Sequence, residues 1–423
     1  MVSLTPAPHG QGQALACSGD DLFEGPEKTL TLCFKQRKVA AGSLRLIPQE
    51  SWTEVLKHAK CEILSSVEST PLDTSTSAVR LTKGGKQKKV STNGLTGYLL
   101  SESSLFLSDT TLSLKTCGRT TPLKALEPIL DIVVPKWRQK CSDEYLSYTT
   151  FSRLGYMFPG EQLEPHNSWS EEVSYLERFF KGESTVLGTE VSSTFHLYVA
   201  NYMPQGEIVD AFSMQVALTK LDPNASMAMF QEGGDSADAP LKSAWKRLHG
   251  DERRSVAANA LVDERFFQPY GYSANGVFGR HFTTVHATPQ PSCSYVSVET
   301  SMPMTQEARQ RFVLGAEGLC CAGALTLTEF GLCPSLFCRP DVPQIPGFKL
   351  QRSSQSIGPT FACALHHFAR ETPLPWQPAA LQAPGTVLQA QKQGAEAAAA
   401  AKARAAAAEA REAASKVPVI EVG

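Results

Sequence analysis

The chain has 423 residues, a mass of 45.8 kDa and a formal net charge of −2, with 42% hydrophobic and 19% charged residues. This composition is typical of a globular protein with a large core, and the small net charge gives no reason to expect a nucleic acid or an anionic membrane as partner. No apolar run reaches roughly 18 residues, so no membrane-spanning helix is expected. Eleven cysteines without a CxxC spacing favour reduced thiols in the cytoplasm over a disulfide framework or a metal site.

The predicted structured region begins near residue 21. Residues 1–20 are rich in Gly, Pro, Ala and Gln, which favours disorder, and they contain neither the basic nor the apolar segment of a secretory signal. Short alternating stretches predict strands at 29–34, 111–117, 193–203, 210–221, 281–289 and 293–300. Helical patterns occur at 123–134, at 168–180 with a capping-box pattern of Ser168 and Glu171, and from Thr305 onwards. Many strands with interspersed helices predict an α+β protein with antiparallel sheet.

Two segments differ in composition from the predicted domain at 21–370. Residues 69–97 are polar and basic, with five Lys or Arg side chains near a Gly-Gly pair. This favours a solvated surface loop over an anion-binding site. Residues 371–423 comprise a Pro-rich linker and an Ala-rich stretch, which favours a solvated helical tail without a firm packing face.

Four short stretches carry the side chains of greatest chemical interest. In "LFEGPEK", Glu24 and Glu27 flank a Gly-Pro turn, a spacing compatible with acid–base chemistry and equally with an ordinary surface turn. In "YLLSESSLF", Glu102 and Ser103 interrupt an otherwise apolar, strand-like segment. Such an interruption indicates either an exposed kink or a functional site.

The other two stretches, together with "KTCG" downstream of the second, contribute a thiol, a ring, a hydroxyl and an imidazole. Cys117 in "KTCG" follows a lysine, which is compatible with an acidic thiol or with a buried inert one. Phe267 and Ser273 lie in "FFQPYGYSANG", which its turn-forming residues predict to be a loop. His286 lies inside a predicted strand, where a histidine is commonly structural.

Together these stretches resemble a known family in their order and their wording. "FEGPEK", "YLLSESSLF", "KTCG", "GYSANG" and "TVHATP" resemble the characteristic segments of eukaryotic S-adenosylmethionine decarboxylase, the pyruvoyl enzyme of polyamine synthesis. "PHNSWSEEVSYL" and "GFKLQRSSQS" extend the resemblance, which covers about residues 22–370. It implies an αββα sandwich, in which two stacked antiparallel sheets carry helices on their outer faces.

The resemblance implies that the chain cuts itself between Glu102 and Ser103. The Ser103 hydroxyl would convert the preceding amide into an ester, and a base would then remove the Cα proton of Ser103. Elimination and hydrolysis would leave two chains and a pyruvoyl group as the cofactor, with no metal. His286 stands at the position of the base and Ser273 at that of a group assisting the acyl shift. A strand interior is the expected place for this bond, because neighbouring strands hold the peptide firmly.

For turnover, the resemblance implies a Schiff base between S-adenosylmethionine and the group made from Ser103, followed by loss of CO2. The product would be the aminopropyl donor for spermidine and spermine synthesis. Cys117 stands at the position of the proton donor, and the rings that would hold the adenine are Phe23 and Phe267. The remaining positions near the substrate are Glu24, Glu27, Leu100, Glu102 and Gln290. Gln290 replaces the usual glutamate on the ribose hydroxyls, which predicts weaker binding.

Animal members of the family are activated by putrescine in a buried acidic pocket. The corresponding positions here are Thr31, Ala211, Ser213, Gln215, Glu299 and Phe361, of which Glu299 alone keeps a carboxylate. One carboxylate does not neutralise a buried dication, so activation by putrescine is not expected. Lys115 and Arg153 occupy positions suited to replace the activator, and Lys115 is expected to pair with Glu299.

Two rival functions were weighed against an active decarboxylase. A regulatory, non-catalytic relative that activates a partner subunit is expected to lack the cleavable serine, whereas Ser103 and the other reactive positions are present. A hydrolase using Ser103, His286 and a glutamate is expected to carry a nucleophile elbow such as GxSxG, which this sequence lacks. The sequence does not decide between a monomer and a homodimer.

Overall fold

The computed structural model describes residues 23–69, 77–81, 87–91, 94–101, 103–189, 194–204, 211–222, 240–250, 260–267, 271–290, 294–332 and 341–372, with the backbone alone for 77–81 and 87–91. The first half of the chain forms β1 (Lys28–Phe34), β2 (Ile63–Glu68), β3 (Ser77–Leu81), β4 (Gln87–Ser91), β5 (Thr96–Leu100), β6 (Ser103–Leu107), β7 (Thr111–Thr116), β8 (Leu146–Leu154), β9 (Glu183–Leu187) and β10 (Phe195–Asn201). The second half forms β11 (Phe212–Leu221), β12 (Leu261–Phe266), β13 (Tyr272–Phe278), β14 (His281–Thr288), β15 (Tyr295–Thr300), β16 (Ala322–Gly331), β17 (Phe348–Ile357) and β18 (Ala362–Arg370).

These strands form two large antiparallel sheets, one from each half of the chain. The strand order is β2-β5-β6-β7-β1-β8-β10-β9 in the first sheet and β12-β13-β14-β15-β11-β16-β18-β17 in the second. Strands β3 and β4 form a separate two-stranded ladder. Each sheet therefore combines hairpins between consecutive strands, such as β5-β6 and β13-β14, with pairs of strands that are distant in sequence, such as β1-β8 and β11-β16.

Helices cover the outer face of each sheet. They are α1 (Gln49–Ala59), α2 (Leu126–Val133), α3 (Ser142–Tyr145) and α4 (Trp169–Leu176) in the first half, and α5 (Pro240–His249) and α6 (Gln306–Glu317) in the second. Trp52 of α1 shares one hydrophobic core with Leu30 of β1, and Phe312 of α6 shares another with Val216 of β11. This arrangement confirms the predicted αββα sandwich.

The alternation of strand residues places polar side chains between the two sheets. In β1, Leu30 faces the helices, whereas Thr31 lines a space shared with the second sheet. In β11, Val216 faces α5 and α6, whereas Gln215 reaches Glu27 of the first half. Because successive strand residues point to opposite faces, the apolar cores lie under the helices and the space between the sheets stays polar.

The predicted strands and helices are largely confirmed. The six predicted strands agree with observed ones to within two residues at each end. The predicted helix at 123–134 begins as a short 3-10 segment and continues as α2, and the one at 168–180 ends earlier, at Leu176. The Ser168 hydroxyl accepts a hydrogen bond from the Glu171 N–H at 3.3 Å, and Thr305 caps α6 in the same way.

The expectation that the Glu102–Ser103 bond lies in a strand interior is wrong. Strand β5 ends at Leu100, β6 begins at Ser103, and these two residues pair directly. The bond therefore lies where the connection from β5 enters β6. The physical reason is that polar residues between two apolar strands favour the end of one strand and the start of the next. Glu102 itself lies outside the described residues.

The loop predicted around Ser273 is also wrong. Most of the segment is β13, which pairs with β12 on one side and β14 on the other. Pairing on both sides outweighs the local preference of turn-forming residues. A side chain at Gly276 would overlap the Trp245 ring of α5, which explains why this strand position is a glycine.

The segment 69–97, expected to be a surface loop, contains regular structure. Residues 77–81 and 87–91 pair as the β3–β4 ladder, and β5 already begins at Thr96. Each of the two segments contains a valine, a residue that favours strands over loops. The predictions for residues 1–20 and for the tail from residue 373 onwards lie outside the described residues.

The thiols and helices of the described residues have two general properties. The described cysteines are all free thiols, namely Cys33, Cys61, Cys117, Cys141, Cys320, Cys321 and Cys363. In this part of the chain no helix is both long and apolar enough to cross a membrane.

Candidate active site

Ser103 stands in a strained position at the start of β6. Its φ is 125°, a backbone region that a residue with a side chain rarely occupies. It is 1% exposed, and its neighbours in the flanking strands are Leu100 and Thr116. Its hydroxyl donates a hydrogen bond to the Cys117 sulfur at 3.3 Å. The hairpin of β6 and β7 thus holds a buried hydroxyl and a thiol in contact at one end of its strands.

His286 lies opposite this hairpin, on the second sheet. Its Nδ1 is 3.0 Å from the Ser273 hydroxyl, and its Nε2 is 2.9 Å from the Thr284 hydroxyl and 3.2 Å from the Ser104 hydroxyl. Ser273 and His286 are cross-strand partners in β13 and β14, so the ladder fixes their contact. Burial, together with the positive charge of Lys115, holds the pKa of His286 well below its usual value. The imidazole is therefore neutral at neutral pH.

A buried ion triad lies between the sheets beside this histidine. Lys115 Nζ is 2.6 Å from Glu299 and 3.5 Å from Glu27, so the expected contact between Lys115 and Glu299 is present. Burial opposes the charge on Lys115, but the two carboxylates outweigh it and raise the pKa of the amine overall. Glu27 also accepts hydrogen bonds from three side chains of the second sheet, Gln215, Tyr295 and Ser297. Each carboxylate thereby has an ion-pair and hydrogen-bond partner, as a buried carboxylate requires.

Glu24 belongs to a second buried cluster, on the helix-covered side of the first sheet. It accepts hydrogen bonds from the backbone of Met157 at 2.9 Å and of Phe158 at 2.6 Å. Arg153 lies 3.3 Å from Glu24 and 3.0 Å from Glu172. Arg153 was expected to replace the activator in the putrescine pocket. Its guanidinium points instead to Glu24 and Glu172, so this expectation is wrong. This cation fixes Glu24 instead.

Lys28 lies between the cluster around Glu24 and the residue that follows Cys117. It is fully buried, and its Nζ donates to the Gly118 carbonyl at 2.9 Å and to Gln162 at 2.7 Å. Burial and the neighbouring Arg153 lower the pKa of Lys28 to about 8. The sequence analysis did not single out this lysine. A usable signal was available, because the strand alternation places Lys28 on the same apolar face as Leu30.

The residues predicted to hold the substrate have the following places in the fold. Leu100 is fully buried at the end of β5. Phe23 and Phe267 are both half-buried, and within the described residues no ring contact joins them. Gln290 is half-buried and follows the end of β14 by two residues. Glu102 is outside the described residues.

A cavity of about 380 Å³ lies between the sheets and reaches Glu299. Its walls carry mainly hydroxyl side chains, including those of Thr29, Thr31, Ser113, Thr150 and Ser213. Among the described residues that line it, Glu299 has the single carboxylate, and Ser213 and Lys115 already hydrogen bond to that group. The cavity therefore offers little negative charge to a dication.

The residues that the sequence analysis missed are polar members of the interior between the sheets. Ser104, Asn275 and Thr284 surround His286, and each is fully buried. The sequence gives one weak signal for them, since polar residues alternate with apolar ones along β13 and β14. Which of these polar side chains meet depends on the pairing between strands far apart in the chain. No group of three or more potential metal ligands occurs among the described residues.

The geometry defines an enzyme site, because a hydroxyl, a thiol, a neutral imidazole and paired carboxylates converge in a buried space. The chain matches the family model described as adenosylmethionine decarboxylase over residues 20–76 and 87–315. It belongs to the adenosylmethionine decarboxylase family.

Proteins similar to this chain come from distant eukaryotes. The S-adenosylmethionine decarboxylase proenzyme of Xenopus laevis is 31% identical over 68% of this chain and 77% of the relative. Those of Onchocerca volvulus and Saccharomyces cerevisiae are 33% and 30% identical, each over 67% of this chain and over 69% and 74% of the relative. The solved structure of the Trypanosoma brucei AdoMetDC-delta26 monomer matches 63% of this chain and 99% of that chain, with a TM-score of 0.43 and 17% identity.

Proposed function

We propose that this chain is an S-adenosylmethionine decarboxylase, made as a proenzyme that cuts itself between Glu102 and Ser103. It releases CO2 from S-adenosylmethionine and supplies the aminopropyl donor for spermidine and spermine synthesis. The observation that carries the proposal is the strained, buried Ser103, whose hydroxyl contacts Cys117 at one end of a hairpin that faces His286.

The residues around Ser103 fit a pyruvoyl group made from this serine. The backbone of Ser103 is strained, and cleavage would relieve this strain. The pyruvoyl group would form from the serine itself, so no separate cofactor has to bind. The pyruvoyl group supplies a carbonyl that accepts the electrons released with CO2. Cys117 is then placed to donate a proton to the substrate carbon. Glu24 and Glu27, fixed by Arg153 and Lys115, supply the negative charge of the site.

Self-cleavage proceeds in two steps on the side chains of this protein. The Ser103 oxygen attacks the Glu102 carbonyl carbon, the C–N bond breaks, and the nitrogen takes a proton, with Ser273 assisting. His286 then removes the Cα proton of Ser103, and the ester C–O bond breaks so that the Glu102 carboxylate leaves with the upstream chain. Water hydrolyses the resulting dehydroalanine and releases ammonia. The depressed pKa of His286 keeps it neutral and able to accept the proton.

Regulation by putrescine is not part of the proposed function. The lining of the cavity, with Glu299 already paired to Lys115, supports an enzyme in which a protein amine takes the place of the activator. The free thiols of the described residues support a cytoplasmic location.

An intact-mass measurement tests the proposal directly. Purified protein is expected to show two chains of about 11 and about 35 kDa, in proportion to the residues on each side of the bond. Ser103→Ala is expected to stay uncut. Borohydride with S-adenosylmethionine is expected to inactivate the cut enzyme irreversibly, an outcome that a serine hydrolase does not share. A single intact chain with decarboxylase activity, or an uncut chain that only activates another subunit, would overturn it.

A further inference from the structure

Asn275 occupies the centre of β13 and touches both residues that contact Nε2 of His286. Its side chain is fully buried, and its Oδ1 lies 2.7 Å from the Ser104 hydroxyl and 2.9 Å from the Thr284 hydroxyl. Its Nδ2 has no hydrogen-bond partner within the described residues. A buried amide nitrogen with two unused hydrogens is uncommon, whereas a carbonyl without a donor is tolerated more readily. Rotation of the amide about χ2, which would give Nδ2 an acceptor, is therefore expected to lower the free energy.

The orientation of this amide biases which nitrogen of His286 carries the proton. With Oδ1 toward the two hydroxyls, Ser104 donates to Oδ1 and Thr284 donates to Oδ1 or to the Ala274 carbonyl, which lies 2.9 Å away. Nε2 then receives a hydrogen only if Thr284 donates to it across 2.9 Å and leaves both Oδ1 and the Ala274 carbonyl; in every other arrangement Nε2 itself is the N–H. Nδ1 would be the bare nitrogen, facing the Ser273 hydroxyl.

A half-turn of the amide about χ2 reverses this assignment. Nδ2 then donates to the oxygens of Ser104 and Thr284, and Thr284 donates to the Ala274 carbonyl. The Ser104 hydrogen is left for Nε2 of His286, and Nδ1–H donates to Ser273. Each donor of Asn275, Thr284, Ser104 and His286 then has an acceptor, and the hydroxyl of Ser273, which is 7% exposed, is the one donor of the cluster that turns away from the histidine.

The direction of the two ring nitrogens favours the same state. Nε2 points at Ser104 of β6, the strand that begins with Ser103, whereas Nδ1 points at Ser273 within the second sheet. A base that removes a proton from Ser103 must present its lone pair toward β6. That requires a bare Nε2.

We propose that Asn275 is a positioning residue for self-cleavage, whose Nδ2 donates to Ser104 and Thr284 and so keeps the proton of His286 on Nδ1. The proposal rests on the proposed function, because it specifies how the base of that reaction is prepared. Asn275 acts through its neighbours and does not itself transfer a proton. A comparable role is played by a carboxylate that fixes the tautomer of a catalytic histidine in serine proteases.

The tautomer can be read by NMR in the uncut chain. Ser103→Ala protein labelled with 15N-histidine contains nine histidines, and the His286 signals are those lost in the Ser103→Ala, His286→Gln double variant. Protonated and bare imidazole nitrogens have well-separated 15N shifts. The expected result is a protonated Nδ1 and a bare Nε2. A protonated Nε2 with a bare Nδ1 would overturn the proposal, and this measurement needs no change at position 275.

Two substitutions of Asn275 separate the tautomer from simple packing. Aspartate has the same shape but only accepts, so its charged oxygens draw the hydroxyl hydrogens of Ser104 and Thr284 away from Nε2 and favour a proton on Nε2. Asn275→Asp is expected to slow elimination at least about tenfold, with an ester intermediate that hydroxylamine cleaves. Asn275→Ala leaves the Ser104 hydrogen free for Nε2 and is expected to process faster than Asn275→Asp, although it leaves a cavity. Equal or slower processing of Asn275→Ala, in variants shown to be folded by thermal unfolding, contradicts the proposal.

The failure of this inference is distinguishable from the failure of the proposed function. If the unmodified chain is never cut, the proposed function fails, while the NMR result still reports the tautomer. If the chain is cut normally but Nε2 is protonated, only the role of Asn275 is lost.

Discussion

The hydroxyl of Ser103 donates a hydrogen bond to the sulfur of Cys117 across 3.3 Å. The residue proposed to be cut and the residue proposed to return a proton to the product are thus in contact before cleavage. Their strands are neighbours, since Ser103 pairs with Thr116, the residue just before Cys117. One hairpin therefore serves both the processing reaction and the later turnover.

Cys117→Ala is expected to be cut at least in part but to lose activity during turnover. The proposed role of the thiol is protonation of the substrate carbon, and protonation at another atom would consume the prosthetic group. Intact mass would follow cleavage, and progress curves would follow inactivation. Cys141→Ala, which changes an exposed thiol, is the matched control and should behave as the unmodified protein does. Linear progress curves for Cys117→Ala would exclude the thiol as the proton donor.

His286→Ala is expected to stall after the acyl shift. The ester between residues 102 and 103 then persists because no base removes the Cα proton, and hydroxylamine should release both fragments. Gel electrophoresis with and without hydroxylamine measures this. Cleavage of His286→Ala at the normal rate without additives would mean that another group is the base.

Gln290→Glu is expected to lower KM for S-adenosylmethionine severalfold, with a smaller change in kcat. A charged acceptor on the ribose hydroxyls adds about 1 kcal/mol over a neutral one. Steady-state kinetics of the two proteins side by side would show it. An unchanged KM would place Gln290 away from the ribose.

Putrescine is expected to leave the rates of processing and turnover of the unmodified protein unchanged at millimolar concentration. Removing the cation by Lys115→Ala leaves Glu27 and Glu299 buried without their partner, which should cost about 3–5 kcal/mol of unfolding free energy. Putrescine should then raise the unfolding temperature of that variant in a concentration-dependent way. Severalfold acceleration of the unmodified enzyme, lost in Glu299→Gln, would show instead that the acidic pocket still functions.

Stability is expected to fall as the pH drops below about 6.5. Burial, helped by Arg311, lowers the pKa of His249 from 6.5 to about 4. Between these values the unfolded chain binds a proton that the folded chain does not, so the unfolding free energy decreases toward acid by up to about 3 kcal/mol for this residue. His166, His196 and His366 have the same lowered pKa of about 4.

His249→Gln provides the test of this pH dependence. The unfolding free energy is measured by urea unfolding between pH 7 and pH 5. Its slope against pH should be smaller than in the unmodified protein, by an amount that corresponds to about one proton. Residue 249 lies at the end of α5, where the amide of glutamine provides Thr283 with a polar partner in place of the imidazole. An unchanged slope would mean that His249 is protonated in the folded state.

The local features of the sequence were sufficient for the fold class and for selecting the residues that are proposed to react. Alternating strands such as β1 and β14, and helix caps such as Ser168, follow from side-chain period and backbone hydrogen bonding, which operate over a few residues. The unusual Glu102-Ser103 pair, Cys117 and His286 were also recognisable, because each lies within a short, distinctive segment.

The tertiary structure alone decided which of these residues meet. The turn-forming residues next to Ser273 predicted a loop. Pairing of β13 with β12 and β14 instead makes Ser273 the cross-strand partner of His286. Arg153 was expected at a position suited to replace the activator, but the alternation of β8 turns it toward Glu24 and Glu172. Asn275 gave only the weak signal of strand alternation, because its importance comes from Ser104, a residue 171 positions away. Contacts across sheets depend on register and stacking between distant segments, and no local pattern encodes that geometry.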